Sequence, residues 1–208
     1  MQFYKVPGII PRLFNGYTWH KDRNKKTVYL TFDDGPVPSV SDYVLKLLDE
    51  HEMKATYFMV GDNVYKNPAL ANEVIQEGHG IGNHTYHHLR AGKMPLTVYL
   101  DDVEQCRKVI LEKTGVDTNT FRPPYGWING PYSRHLSQRY EIILWDVISW
   151  DFKSGLNTGV ALNKIKEHTE NGSIVLFHDQ LKSKNNLQKI LPGYLEYLSS
   201  QGFQTALL

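Results

Sequence analysis

The chain has 208 residues, a formal net charge of +1 and a single cysteine, Cys106. This length suits one domain with a full core, and the near-neutral charge gives no electrostatic case for binding nucleic acid or an anionic membrane surface. One cysteine excludes an internal disulfide framework, and no apolar run reaches the roughly 18 residues of a membrane span.

The first 26 residues are predicted to form an arm ahead of the first strand. Prolines and glycines interrupt it, so we expect no regular element there, while Phe14, Tyr17 and Trp19 predict that the arm packs against the rest of the domain. The start of the sequence lacks the long apolar segment and small-residue cleavage site of a secretory signal. We therefore expect a cytoplasmic protein, or an exported one if a signal was removed ahead of this sequence.

Two adjacent aspartates follow the first predicted strand. The apolar residues 28–30 indicate a buried strand, which leads to Asp33 and Asp34 before Gly35 and Pro36 end it. Neighbouring strand residues point to opposite faces, so both carboxylates can face one site only where the strand stops. Two like charges this close are unfavourable unless a cation lies between them, which favours one aspartate as a metal ligand and the other as a proton carrier. A solvated Asp-Gly turn is the alternative.

Alternating helix and strand patterns come next. Ser39 or Ser41 is predicted to cap a helix whose apolar residues have helical spacing. Residues 54–60 indicate a second strand, and residues 68–77 a second helix that ends at Gly78.

A histidine-rich segment follows this second helix. His84 and His88 are four residues apart, so on one helical turn both imidazoles would lie on the same face and reach one ion. His87 would then point elsewhere, and His79 is interpreted as structural. One aspartate and two histidines form an open ligand set suited to a catalytic divalent ion, normally zinc or another first-row ion. A chance pair of surface histidines is the alternative.

A long helix and a rigid turn are predicted in the middle of the chain. Residues 96–113 have an amphipathic helical pattern that ends at Gly115. In residues 120–126 a double proline follows a strand end, where it would hold Arg122 in place and aim a backbone N–H, such as that of Tyr125, at a ligand. A loop carrying a surface arginine is the alternative.

Two further buried strands are predicted in the last third of the chain. Residues 141–147 form one, and residues 173–179 form the other, which ends with His178. Trp145 and Trp150 could stack on sugar rings, although core packing is the commoner role of tryptophan.

The remaining segments complete an alternating pattern. Residues 161–169 are predicted to be helical, residues 181–189 to be a solvated lysine-rich loop before the final helix, and residues 202–208 to be a seventh strand. This alternation favours an α/β fold with parallel strands, in either a barrel or an open sheet. Both architectures place active sites at the carboxyl ends of strands. The polar side chains at those ends are Asp33, Asp34, His84, Arg122, Asp151 and His178.

Taken together, these segments resemble the polysaccharide deacetylases with a NodB-homology domain, carbohydrate esterase family 4. The resemblance rests on Thr31-Phe32-Asp33-Asp34-Gly35-Pro36, His84-Thr85-Tyr86-His87-His88, Arg122-Pro123-Pro124-Tyr125, Ser149-Trp150-Asp151-Phe152 and Leu176-Phe177-His178. It implies a deformed, incomplete (β/α)7 barrel of parallel strands over residues 27–208, which with the arm forms a single domain. It also implies removal of acetyl groups from N-acetylglucosamine polymers such as chitin or peptidoglycan, or from acetylxylan, with one divalent metal, zinc being expected.

The resemblance also implies roles for individual residues. The implied metal ligands are Asp34, His84 and His88. The implied catalytic groups are the general base Asp33, its ion-pair partner Arg122, the general acid His178, its tuning partner Asp151 and the oxyanion-facing N–H of Tyr125. The implied substrate contacts are Leu176 at the acetyl methyl group, Tyr125 and Trp150.

Two positions depart from the family pattern. Ile148 and Phe152 stand where the fourth motif usually has aspartate and tryptophan, which alters one aromatic wall of the sugar groove and leaves Trp150 to compensate. The expected partner is an acetylated glycan, with no nucleic acid and no membrane span. An O-acetyl esterase acting on xylan or a similar polymer, and a catalytically silent sugar-binding module, are the alternatives.

Overall fold

A parallel β-sheet forms the centre of the computed structural model, which describes residues 3–208. Its strands are β1 (Thr27–Asp33), β2 (Ala55–Met59), β3 (Gly80–Asn83), β4 (Thr120–Phe121), β5 (Glu141–Ile142), β6 (Val147–Ile148), β7 (Ile174–His178) and β8 (Gln204–Thr205). Seven of them pair in the order β5-β4-β3-β2-β1-β7-β6, and β8 pairs with the start of β1. All of these pairings are parallel.

Helices connect the strands. They are α1 (Ile9–Leu13), α2 (Ser41–Glu50), α3 (Gly61–Lys66), α4 (Pro68–Gln76), α5 (Leu96–Thr114), α6 (Gly130–Leu136), α7 (Thr158–His168) and α8 (Lys184–Ser200), with a 3₁₀ turn at Pro124–Gly126. The long helix predicted before Gly115 is α5, and Gly115 follows it with φ of 74°, a left-handed conformation that suits glycine at a helix end. None of the helices within residues 3–208 combines the length and the apolar character that a membrane crossing requires.

The sheet curls into an incomplete barrel. Its two edge strands, β5 and β6, are separated in the chain only by residues 143–146, so the two edges must lie near each other. The predicted α/β fold, a deformed and incomplete barrel of seven parallel strands, is confirmed. The arm covers the gap, since Lys5 pairs with Val147 and Thr18 with Ile143. The arm is more regular than predicted, because it contains the short helix α1.

The core lies between the central strands and their helices. All five residues of β2 are buried, which is typical of a parallel strand covered on both faces. Phe32 of β1 stacks against Tyr57 of β2 and Phe177 of β7, with ring centroids 5.2 and 5.7 Å apart. This close packing gives the carboxyl ends of β1, β2 and β7 a rigid support.

Three local predictions were wrong. The single strand predicted over residues 141–147 is split into β5 and β6, because the backbone between them bonds to the arm through Leu144 N–H and Asp146 O. The lysine-rich loop ends early: α8 begins at Lys184 because its apolar face is fully buried. At α2 the N-cap position holds Val40, and no side chain caps it.

Candidate active site

Both aspartates face one site at the end of β1. Asp33 is the last residue of the strand and lies opposite His178 of β7. Asp34 leaves the strand with φ of 83°, a left-handed conformation. His84 Nε2 lies 3.8 Å from Asp33 Oδ2 and 3.4 Å from Asp34 Oδ1, so the two carboxylates converge on the same imidazole.

The two histidines converge from a loop, and the predicted helical turn is absent. Residues 84–90 follow β3 without forming a helix, and both Thr85 and His88 have positive φ, 63° and 56°. The buried Asn83 side chain accepts the Thr85 N–H at 2.9 Å, and the Thr85 hydroxyl accepts the Leu89 N–H at 3.0 Å. These bonds shape the loop so that His88 Nε2 lies 3.1 Å from Asp34 Oδ1.

The donor set fits a divalent metal ion. One ligand atom each from Asp34, His84 and His88 lies within 4.8 Å of the others. His84 Nδ1 is 2.7 Å from the Arg122 carbonyl oxygen, which can only accept, so this nitrogen carries the proton and Nε2 offers its lone pair to the site. Asp34 Oδ1 is buried, and within residues 3–208 it has no hydrogen-bond donor. Two imidazoles and a carboxylate with an unpaired oxygen are the ligands of a first-row divalent ion.

Two amide side chains fix Asp34. Gln180 Nε2 donates to Asp34 Oδ2 at 2.5 Å, and Asn63 Nδ2 donates to the Asp34 carbonyl at 2.7 Å. Burial raises the pKa of Asp34, but the nearby imidazoles of His84 and His88 and the charge of His178 outweigh that effect and hold the pKa well below its usual range. Sequence reasoning missed both amides; the one available signal was the position of Gln180, two residues beyond β7.

Arg122 is fully buried behind Asp33, so the surface-arginine alternative is wrong. Its Nη1 donates to Asp33 Oδ1 at 2.7 Å and to Thr31 Oγ1 at 2.8 Å, and its Nη2 donates to the Leu144 carbonyl at 3.1 Å. The guanidinium carbon lies 4.1 Å from the centroid of the Phe58 ring. Burial lowers the pKa of Arg122, and the charge of Asp33 opposes that shift. A buried pair with these bonds holds Asp33 Oδ1 in one place and leaves Oδ2 toward His84.

His178 is held by the fully buried Asp151 on the other side of the site. His178 Nδ1 is 2.8 Å from Asp151 Oδ1, and the His178 backbone N–H donates to Oδ2 at 2.8 Å. Burial lowers the pKa of His178, but the Asp151 charge and hydrogen bond, with smaller contributions from Asp34 and Asp33, raise it to about 9. The Asp151 carboxylate therefore favours the protonated form of His178.

The site opens into a cleft of about 620 Å³, which includes the three predicted substrate contacts. Leu176 is buried at its base, whereas the side chain of Tyr125, a residue with φ of 63°, is largely exposed. Trp150 donates its indole N–H to the Phe3 carbonyl at 2.8 Å, so the arm holds this ring. Ile148 and Phe152 also line the cleft, and the Phe152 ring packs edge-on against His178 at 4.8 Å. An aromatic wall is thus retained despite the departure from the family motif.

Asp179 is a buried carboxylate that sequence reasoning missed. It accepts the Gly35 N–H at 2.9 Å and the Ser41 hydroxyl at 2.5 Å, and its own N–H donates to the Asp33 carbonyl. Burial, together with the charge of Asp34, raises the pKa of Asp179 to about 7. A Cβ at Gly35 would lie 1.9 Å from Asp179 Oδ2, so only glycine fits at this turn. Asp179 thereby fixes the backbone on both sides of Asp34.

Comparisons with known proteins show which family the chain resembles. A family sequence profile described as polysaccharide deacetylase matches residues 20–140. The chain is 36% identical over 195 residues to a peptidoglycan-N-acetylglucosamine deacetylase of Bacillus cereus, covering 91% of this chain and 90% of that protein. It is 32% identical over 162 residues to a chitooligosaccharide deacetylase of Azorhizobium caulinodans, covering 76% and 75%.

A solved structure extends the likeness to the fold. It is a peptidoglycan N-acetylglucosamine deacetylase in complex with 4-naphthalen-1-yl-N-oxidanyl-benzamide. The two folds match with a TM-score of 0.85 at 29% sequence identity, covering 98% of this chain and 95% of the other.

Proposed function

The chain belongs to the polysaccharide deacetylase family, and we propose that it removes acetyl groups from N-acetylglucosamine-containing glycans of the chitin-oligosaccharide or peptidoglycan type. One observation carries the proposal: a metal-ligand set shares the cleft with an anchored carboxylate, Asp33, and with a histidine, His178, whose Nδ1 is bonded to the buried Asp151. Hydrolysis of an amide requires these three elements together.

Asp34, His84 and His88 are the proposed ligands of one divalent ion, with zinc as the preferred ion for this donor set. When bound, such an ion lowers the pKa of a coordinated water to about 7 and polarises the acetyl carbonyl. Gln180 orients the Asp34 carboxylate through Oδ2, so that Oδ1 remains directed at the two imidazoles.

Asp33 is the proposed general base. Arg122 and the β1 backbone fix its orientation, and Oδ2 is the oxygen that faces His84 and the cleft. This oxygen accepts the proton of the attacking water. The Tyr125 backbone N–H is the proposed donor to the oxyanion, and loss of one such donor typically costs about 10²–10³ in rate.

His178 is the proposed general acid. An amine leaves poorly until its nitrogen is protonated, so a donor is needed beside the leaving group. Because Nδ1 is engaged with Asp151, the proton is delivered from Nε2. Leu176 is proposed to contact the acetyl methyl group, with Trp150 and the Tyr125 ring contacting the sugar.

The described part of the arm contributes to the same cleft, because Phe3 accepts the indole N–H of Trp150. We therefore propose that residues 1–26 and the barrel of residues 27–208 act as one domain. The O-acetyl esterase alternative would use the same reacting groups, so only the sugar groove distinguishes it. The silent-module alternative leaves unexplained why the paired His178 lines the same cleft as the metal-ligand set, since binding alone needs no general acid there.

The experiment that tests this function is acetate release from N-acetylchitotetraose and from acetylxylan. The purified protein is treated with a chelator and then reloaded with zinc. We expect acetate from N-acetylchitotetraose, loss of activity with chelator and recovery with zinc. Release from acetylxylan alone would support the esterase, and no acetate from either glycan after reloading would support the silent module.

A metal analysis distinguishes the ligand set from other histidines. His84→Ala is expected to abolish stoichiometric zinc binding, because it removes one of three ligands. His87→Ala is the matched control, since His87 pairs with Asp102 outside the ligand set. Full zinc occupancy in His84→Ala would refute the ligand assignment.

A further inference from the structure

Trp145 lies in the wall of the cleft and has no role in the proposed reaction. Its side chain is half-buried and lines the cleft together with the reacting groups. It belongs to residues 143–146, the segment that joins β5 to β6. Stacking on a sugar and packing in the core are both compatible with that position. The contacts of the ring favour a third role.

The backbone on both sides of Trp145 is held by the arm. The Leu144 N–H donates to the Thr18 carbonyl at 2.7 Å. On the other side, the Asp146 carbonyl accepts the Val6 N–H at 2.8 Å. These two hydrogen bonds fix the backbone position from which the indole ring reaches its neighbours.

The edge of the indole lies directly against Gly126. A Cβ on Gly126 would be 2.4 Å from Trp145 Cη2 and 3.1 Å from Cζ3. The shorter of these distances is well inside van der Waals contact, so only glycine fits beside this ring. Gly126 also has φ of 61°, in the left-handed region that favours glycine. The indole and the turn at Gly126 are therefore packed together without space for another atom.

This turn presents one unpaired backbone donor. Tyr125, immediately before Gly126, has φ of 63° and follows two prolines, which have no N–H. The Gly126 N–H donates to the Pro123 carbonyl at 3.0 Å, whereas the Tyr125 N–H has no acceptor within residues 3–208. A left-handed tyrosine is unfavourable unless its surroundings hold it. The position of this free N–H therefore depends on the contacts that fix the turn.

The indole also lies near Arg122, but a different ring covers that side chain. The guanidinium carbon of Arg122 is 5.8 Å from the centroid of the Trp145 ring and 4.1 Å from that of Phe58. The direct contact with Gly126 is therefore the stronger link between the indole and the reacting groups.

We propose that Trp145 is a positioning residue: by packing against Gly126, it holds the Tyr125 N–H where it donates to the oxyanion. This inference rests on the proposed function and adds the support of its oxyanion donor. Negative charge develops on the acetyl oxygen only in the transition state, so a displaced donor lowers kcat and leaves substrate binding nearly unchanged. Removal of an indole that stacked on the sugar would instead raise KM.

The test substitutes both sides of the contact. Acetate release from N-acetylchitotetraose gives kcat and KM for the zinc-loaded variants Gly126→Ala and Trp145→Phe and for the double variant. Gly126→Ala pushes the turn away from the ring and should lower kcat by about 10²–10³, the usual effect of losing one oxyanion donor. Trp145→Phe leaves the turn unsupported and should lower kcat by about tenfold, a partial loss of the same donor. KM should stay within a few fold throughout.

The double variant measures the contact itself. A phenylalanine ring is shorter than an indole and ends before the atoms with which an alanine Cβ would collide. The kcat of the double variant should therefore exceed that of Gly126→Ala severalfold, whereas two independent structural losses would multiply. Gly115→Ala is the matched control, because Gly115 has φ of 74° and a Cβ there would have no neighbouring atom within 4 Å. This control should keep full kcat, and all variants should bind zinc at the same stoichiometry.

The outcomes separate this inference from the proposed function. An unchanged kcat in either single variant overturns the positioning role, as does a double variant whose losses multiply. A raised KM with unchanged kcat in Trp145→Phe makes the indole a substrate contact and also overturns it. Should Gly126→Ala fail to fold, as circular dichroism would show, kcat and KM of Trp145→Phe decide alone. No acetate from the unsubstituted protein overturns the proposed function, and this inference with it.

Discussion

Two histidines in this chain make nearly the same contacts with a buried aspartate. His178 Nδ1 lies 2.8 Å from Asp151 Oδ1, and His87 Nδ1 lies 2.6 Å from Asp102 Oδ1. In each pair the backbone N–H of the histidine donates to the second carboxylate oxygen, at 2.8 and 3.1 Å. Their surroundings differ: the His178 side chain is 12% exposed and lines the cleft, whereas that of His87 is 57% exposed and packs against Tyr86.

The comparison shows that a histidine–aspartate pair does not by itself mark a catalytic group. Asp102 accepts two consecutive backbone N–H groups, from Tyr86 and His87, and so anchors the loop that carries His88. Asp151 accepts one backbone N–H and orients a ring that faces the reacting groups. The same local geometry therefore holds a metal-ligand loop in one place and a proton donor in the other.

The largest expected effect separates the two histidines by activity. His178→Gln should lower kcat on N-acetylchitotetraose by about 10²–10⁴, the usual reach of a general acid, because glutamine cannot protonate the leaving nitrogen. His87→Gln is the matched control and should stay within a few fold. Both variants should bind zinc at the same stoichiometry. Similar rates for the two variants would show that His178 has no catalytic role that His87 lacks.

A smaller effect separates the two aspartates by metal affinity. Asp102→Ala removes the acceptor of the Tyr86 and His87 N–H groups and loosens the loop that presents His88, so zinc affinity should fall by about 10–100-fold. Asp151→Asn should leave zinc affinity nearly unchanged, because Asp151 contacts no metal ligand directly. Competition with a chromogenic chelator measures both. If Asp102→Ala retained full affinity, the loop-anchoring role would be wrong.

Much of the site was predictable because its residues lie at the ends of buried strands. Asp33 and His178 follow apolar runs whose burial is evident from composition, and parallel strands bring such ends to one edge of the sheet. The double proline after Arg122 correctly predicted a turn. No sequence pattern indicated that the Arg122 side chain is fully buried. Local patterns therefore located the reacting groups but not their environment.

Long-range contacts account for what sequence reasoning missed. Asp179 bonds to Gly35 across 144 residues, and Gln180 bonds to Asp34 across 146 residues, so no spacing pattern reveals either contact. The four-residue spacing of His84 and His88 suggested a helix, because a loop with two left-handed residues has no periodic signal. The ligand geometry depends on Asn83, whose amide shapes that loop from inside the core.

The smallest effect concerns the pH dependence of His178. The Asp151 charge raises the pKa of His178 to about 9, and the reaction needs the protonated ring, so activity should fall as the pH rises through the pKa of this group. Asp151→Asn removes that charge while keeping an acceptor for the His178 N–H, so the pKa should fall. The alkaline limb of the kcat–pH profile should then move to lower pH by about one to two units, toward the ordinary histidine value near 6.5.

His87 and its Asp102 supply the control, since Asp102→Asn should leave this alkaline limb in place. An unmoved limb in Asp151→Asn would show that Asp151 orients the ring without setting its proton affinity, and the two histidine–aspartate pairs would then differ only in what they face.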